Sequence, residues 1–81
     1  MGLMRLEYDE EADAAYVWIR EGVARAFGVA LDDSRYVDYA DDRAPVGIEL
    51  LNVRRGVDVA DLPERAAVER LLGESHLPIF A

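Results

Sequence analysis

Between Leu3 and Val53 the apolar residues recur mostly every second position, the spacing of β-strands rather than of helices. Leu3 to Tyr8 predicts a first strand, with Met4, Leu6 and Tyr8 on one face and Arg5 and Glu7 on the other. Ala14 to Arg20 predicts a second that is apolar on both faces, Tyr16 and Trp18 opposing Val17 and Ile19, which calls for cover on both sides. After the Glu21-Gly22 turn, Val23 to Leu31 predicts a third strand. Phe27, Val29 and Leu31 line one of its faces, and the other carries small residues, with Gly28 marking a bulge or bend. Arg35 to Ala40 predicts a fourth strand after the turn Asp32-Asp33-Ser34. Beyond Asp41-Asp42-Arg43-Ala44, Pro45 leads into a fifth, Val46 to Val53, again apolar on both faces, with Glu49 as its one charge. Connections this short imply antiparallel hairpins in sequence order, a meander.

The period then changes. Asp61-Leu62-Pro63-Glu64 has the composition of a helix start, with Asp61 as cap and Glu64 reaching back to it. Val68, Leu71 and Leu72 form an i, i+3, i+4 apolar stripe, and Gly73 suits the left-handed residue that ends a helix. The chain is thus expected to be one small α+β domain. Residues 4–54 would form a five-stranded antiparallel β-meander, 55–60 a connector, 61–73 one C-terminal α-helix, and 74–81 an apolar tail docked on the sheet or on a neighbour. One helix covers one face of such a sheet. The other face is expected to meet a partner subunit in a homo-oligomer, a dimer or higher, with Trp18, Ile19, Phe27, Leu51 and Phe80 at the interface.

Size and composition sharpen this. An 81-residue chain buries only about 60–65% of the surface it exposes when unfolded, so added cover is valuable. The absence of cysteine excludes disulfides and thiolate zinc sites. A net charge of −8 argues against nucleic acid and anionic membranes and is compatible with a basic protein partner. No stretch approaches the roughly 18 apolar residues of a membrane span, nor is there a signal-like start, so the expected location is cytoplasmic. All nine basic residues are arginine, a usage that suggests GC-rich prokaryotic DNA.

Candidate chemistry is sparse. Asp9, Glu10, Glu11 and Asp13 sit between two strands, where Asp9 suits the first position of a type I turn. A calcium loop would need roughly six to eight oxygen ligands, and an EF-hand a glycine at its sixth position, so no metal is expected there. Glu49 is either a site carboxylate, a partner of Arg25, Arg35 or Arg54, or simply exposed. His76, the one histidine, has only Ser75 beside it, poor geometry for a triad, and reads as a capping or surface residue. No glycine-rich phosphate loop is present. Neither catalytic residues nor a cofactor are expected.

Two stretches, Leu6 to Ile19 and Val46 to Val53, with Val37-Asp38-Tyr39 between them, follow the order Y-D-x-x-x-D-x-x-Y-I-x-[LI], V-D-Y, V-G-I-E-L-L-x-V, with Val17 in place of the first motif's isoleucine. In this the chain resembles a family of short prokaryotic proteins catalogued as domain of unknown function 2283, over about residues 4–54. Ala40 departs from that family's usual acid, and Glu10 stands where proline is frequent. The resemblance implies a small antiparallel β-domain and transfers no catalytic residue. The expected function is a non-enzymatic protein-interaction module, a stabilising or antitoxin-like partner of another protein. The rival expectation is a small hydrolase or ligand-binding protein whose site, at a subunit interface, uses Asp9, Asp13, Tyr16 and Glu49.

Overall fold

The computed structural model describes residues 4–80; Leu3, expected in the first strand, and the Phe80 side chain, expected at an interface, lie outside the described residues. The strands are β1 (Arg5–Asp9), β2 (Ala14–Trp18), β3 (Phe27–Asp32), β4 (Arg35–Tyr39) and β5 (Pro45–Leu51). A single 3-10 turn, Val53–Arg55, follows, then β6 (Val57–Asp58), helix α1 (Arg65–Glu74) and β7 (Ile79–Phe80). The first five form one antiparallel sheet. No described helix is long and apolar enough to cross a membrane.

The sheet is not a meander. Its order is β1-β2-β5-β4-β3, so β2 and β3 are not neighbours and β5 lies between β2 and β4. The Glu21-Gly22 turn does not close a hairpin, and Val23 to Ala26, expected in the third strand, carry the exposed chain to the far edge of the sheet. Burial explains the arrangement. The central slot has neighbours on both sides, and β5 fills it with Val46, Ile48 and Leu50, all buried. β3, with only Gly28 and Ala30 on its second face, takes an edge and is exposed at every residue.

Register places Leu6, Val17, Ile48, Val37 and Val29 in one row across the five strands. Val17, Ile48 and Val37 are fully buried, each burial stabilising by about 1.5–3 kcal/mol. α1 packs over the β1 side of this face, sending Val68 and Leu72 into the core beside Val53, Val57, Val59 and Leu62. Arg35 fastens these layers together. Its Nε donates to Asp32 Oδ2 at 2.9 Å, and its Nη1 donates to the carbonyls of Asp58 (3.0 Å) and Ala60 (2.6 Å). Asp32 and Asp42, in turns read from sequence, each accept from the backbone N–H two residues on, and so does Asp58 in the connector. The bonds from Ser34 and Ala44 hold the Asp32 and Asp42 carboxyls below their ordinary range.

Both ends of the helix differ from expectation. Asp61 and Glu64 have φ of 64° and 55°, and no side-chain cap forms. Left-handed backbone at Asp61 turns both Val59 and Leu62 inward, and their burial outweighs a capping box worth about 1 kcal/mol. At the other end Gly73 stays helical and His76 takes the left-handed position, φ 58°. Leu77 N–H donates to the Leu72 carbonyl (2.9 Å) and His76 N–H to that of Gly73 (3.1 Å), a Schellman closure. The connector and tail are ordered against each other, β6 pairing in parallel with β7.

Left-handed backbone costs a non-glycine residue about 1–2 kcal/mol, against about 0.5–1 kcal/mol of added chain entropy for glycine. His76→Gly is therefore expected to raise stability by roughly 0.5–1 kcal/mol in urea unfolding, and a loss would show that the imidazole contributes a bond of its own.

Candidate functional site

The acidic corner between β1 and β2 is a clamp. Asp9 Oδ1 accepts from Ala12 N–H at 3.2 Å, which closes the turn. Asp13, at φ 53°, turns its carboxylate back, and Oδ1 accepts from the Tyr8 hydroxyl (3.1 Å) and from Arg54 N–H (3.0 Å). The Asp13 carbonyl accepts from Val53 N–H, and Arg54 Nη2 donates to the Glu10 carbonyl at 2.9 Å. Because β2 pairs with β5, with Ala14 opposite Leu51, this turn lies against the exit of β5, and its polar groups tie the two junctions together. Asn52 makes that exit in left-handed backbone, φ 55°, and its amide donates to Ser34 Oγ at 3.1 Å.

On the sheet face away from the helix, Trp18, Gly47, Asp38 and Gly28 lie in one row, and Glu7, Tyr16, Glu49, Tyr36 and Ala30 in the next. Tyr16 crosses β5 above Gly47 and donates its hydroxyl to Asp38 Oδ2 at 2.8 Å. A Cβ on Gly47 would occupy the position of the Tyr16 hydroxyl, so the crossing requires glycine. Asp38 also accepts from Arg25 Nε at 2.8 Å, and Gly28 leaves room for that guanidinium. On the other side Trp18 meets Tyr16 edge to face, ring centres 4.7 Å apart, and Arg5 covers Trp18 at 4.0 Å from its ring centre. Arg5 is in turn paired with Glu21.

A ladder Glu21–Arg5–Trp18–Tyr16–Asp38–Arg25 thus spans the sheet from edge to edge. Desolvation, and next the hydrogen bond to Asp38, push the Tyr16 hydroxyl far above its ordinary pKa, so it is a neutral donor at physiological pH.

Two open clefts flank these features. One, of about 550 Å³, is lined by Glu7, Tyr8, Asp9, Glu10, Glu11, Tyr16 and Glu49 among others. The second, of about 490 Å³, lies between the β3–β4 turn, the end of β5 and the stretch Arg55 to Asp58. Of the four residues expected at an acidic site, Asp9, Tyr16 and Glu49 share the first cleft, whereas Asp13 is turned into the clamp. Glu49 is exposed between Tyr16 and Tyr36 and forms no ion pair with Arg25, Arg35 or Arg54. Among the described residues no three His, Asp or Glu side chains are grouped to hold a metal ion.

The residues expected at an interface separate as well. Trp18 is half-buried in the ladder, and Ile19 packs against the core. Phe27 stacks on Tyr39 at 5.2 Å and remains 38% exposed. Asp38 and Arg25 are the ladder residues that strand patterning alone missed. Their signal was Gly47, a glycine on a buried strand that admits an aromatic from a neighbouring strand, here Tyr16.

The family described as protein of unknown function (DUF2283) matches residues 5–54, more than half of the chain, and the chain belongs to that family. The matched segment opens on the first residue of β1 and closes on Arg54, the residue that clamps the acidic turn, so it contains the five-stranded sheet and its ladder. No curated protein and no solved structure matches the chain.

The Tyr16–Gly47 crossing makes a quantitative prediction. Gly47→Ala is expected to destabilise by about 1–3 kcal/mol, as overpacking does, and to cost much less in a Tyr16→Ala background, where the new methyl has space. Equal costs in the two backgrounds, measured by urea unfolding, would contradict the crossing.

Proposed function

We propose that this member of the family is a small protein-interaction module that works as an assembly of its own copies, in the role of a stabilising or antitoxin-like partner for another protein, and that it is not an enzyme. One observation carries the reading. Phe27, Val29 and Leu31 on β3 are 38%, 42% and 37% exposed, a run of large apolar side chains along one edge of a domain with little core to spare. The polar groups that could have served chemistry support it from the other side. Asp13 and Asp38 are each engaged by two donors within the fold, and Tyr16 is held neutral by desolvation and by its bond to Asp38. The net charge of −8 suits a basic surface on the protein it serves.

The second reading, a hydrolase or ligand-binding site at a subunit interface, has one observation in its favour, the cleft shared by Asp9, Tyr16 and Glu49. It loses Asp13 to the clamp.

Light scattering on the purified full chain tests the leading reading. The expected particle is a multiple of the 9.1 kDa chain mass that persists when Glu49→Gln and Asp9→Asn are introduced together. A particle of one chain mass at high concentration would overturn the assembly, and loss of a co-purifying small ligand from the double variant would favour the second reading.

A further inference from the structure

The sheet has two edges, β1 and β3, and they are built differently. β1 carries Arg5, Glu7 and Asp9 at its exposed positions, charges of the kind that keep other strands from adding to an edge. β3 carries none from Phe27 to Leu31, and its exposed side chains are either large and apolar or no bigger than a methyl group. Register turns Phe27 and Val29 toward the face that holds Val37 and the core, and Gly28 and Ala30 toward the other. The helix packs over the β1 side, and Phe27, Val29 and Leu31 remain 38%, 42% and 37% exposed. The apolar row across the sheet therefore ends in solvent at Val29, beside a strand with one unpaired backbone edge.

We infer that β3 is the seam between two copies of this chain, which pair antiparallel about Val29 and join their sheets into one. The inference rests on the interaction-module reading and names its surface. Self-pairing is favoured because the segment complements its own reverse. The uncharged run Ala26 to Leu31 has Arg25 at one end and Asp32-Asp33 at the other. A two-fold axis through Val29 sets Val29 against the partner's Val29 and Phe27 against the partner's Leu31. Antiparallel pairing also brings the Arg25 end of each strand to the Asp32-Asp33 end of the other, so opposite charges meet at both ends of the seam.

The flanking side chains are exposed, and Arg25 keeps its place in the ladder. Arg25 donates to Asp38 through Nε alone among its described hydrogen bonds, and Asp33 forms no ion pair among the described residues. On the second face Gly28 meets the partner's Ala30, so no bulky side chain holds the strands apart. Such an axis is perpendicular to the sheet and keeps both cores on the same side. The row Leu6–Val17–Ile48–Val37–Val29 then continues directly into the row of the partner.

The chain has no cysteine, which permits a direct test. Facing residues of an antiparallel pair have Cα atoms about 4.5–5.5 Å apart, within the range a disulfide spans. Full-length Val29→Cys under mild oxidation is expected to give mostly disulfide-linked dimer on a non-reducing gel. Glu7→Cys, on the other edge, is expected to stay at chain mass. Light scattering on the unmodified protein runs beside them. Cross-linking at Glu7→Cys, or a native oligomer whose Val29→Cys form does not cross-link, would overturn β3 as the seam while leaving self-assembly standing. A native monomer with neither variant cross-linked would overturn both, and would leave the edge to a strand from a different protein. Both substitutions are at exposed positions, and far-UV circular dichroism of each reduced variant confirms that it folds before it is oxidised.

Discussion

The insertion of β5 between β2 and β4 is the constraint on which the remaining features depend. It sets Ile48 between Val17 and Val37, with all three sealed from solvent. A one-residue slip would bring Gly47 and Glu49 into the core and turn Ile48 and Leu50 out, so the register is strongly specified. The same pairing lays Gly47 between Trp18 and Asp38, the one place where Tyr16 can cross a strand. It also brings the acidic turn beside the exit of β5, where Asp13 finds Arg54 N–H. Ladder and clamp are two consequences of one placement, and the exposed edge at β3 is the third.

Much of this was legible in the sequence, for identifiable reasons. Alternation located all five strands of the sheet and the helix stripe, because period follows from backbone geometry and each face is either buried or wet. The turn aspartates were legible because their bonds are local. Strand order was not, since short connections favour hairpins, and only the competition for the central slot decides against a meander. The helix ends were misread for a similar reason. Asp61 and Gly73 have suitable composition, but burial of Leu62 and docking of Leu77 moved the boundaries, and a histidine accepted the left-handed backbone.

The doubly apolar second strand, read from sequence as needing a foreign surface, largely supplies its own cover. Trp18 is sandwiched between Arg5 and Tyr16, an arrangement that shields its ring while keeping the guanidinium hydrated. No strand pattern shows this, because it requires residues from β1, β2 and β4 in a row. The exposed large apolar side chains of the sheet consequently lie at its β3 edge rather than on the outer face. There the exposure of Phe27 and Val29 is a property of the strand's position in the sheet more than of its composition.

The acidic corner and the tyrosine ladder hold the domain together, and the proposed association along β3 leaves both untouched; this division of labour is the central claim. Amide hydrogen exchange, measured on the full chain across a wide range of concentration, tests it most directly. The account predicts that protection within Phe27 to Leu31 rises with concentration, while β1 and the outer-face residues around Trp18 are unchanged. Concentration-independent exchange along β3, with new protection at β1 or Trp18 instead, would contradict it.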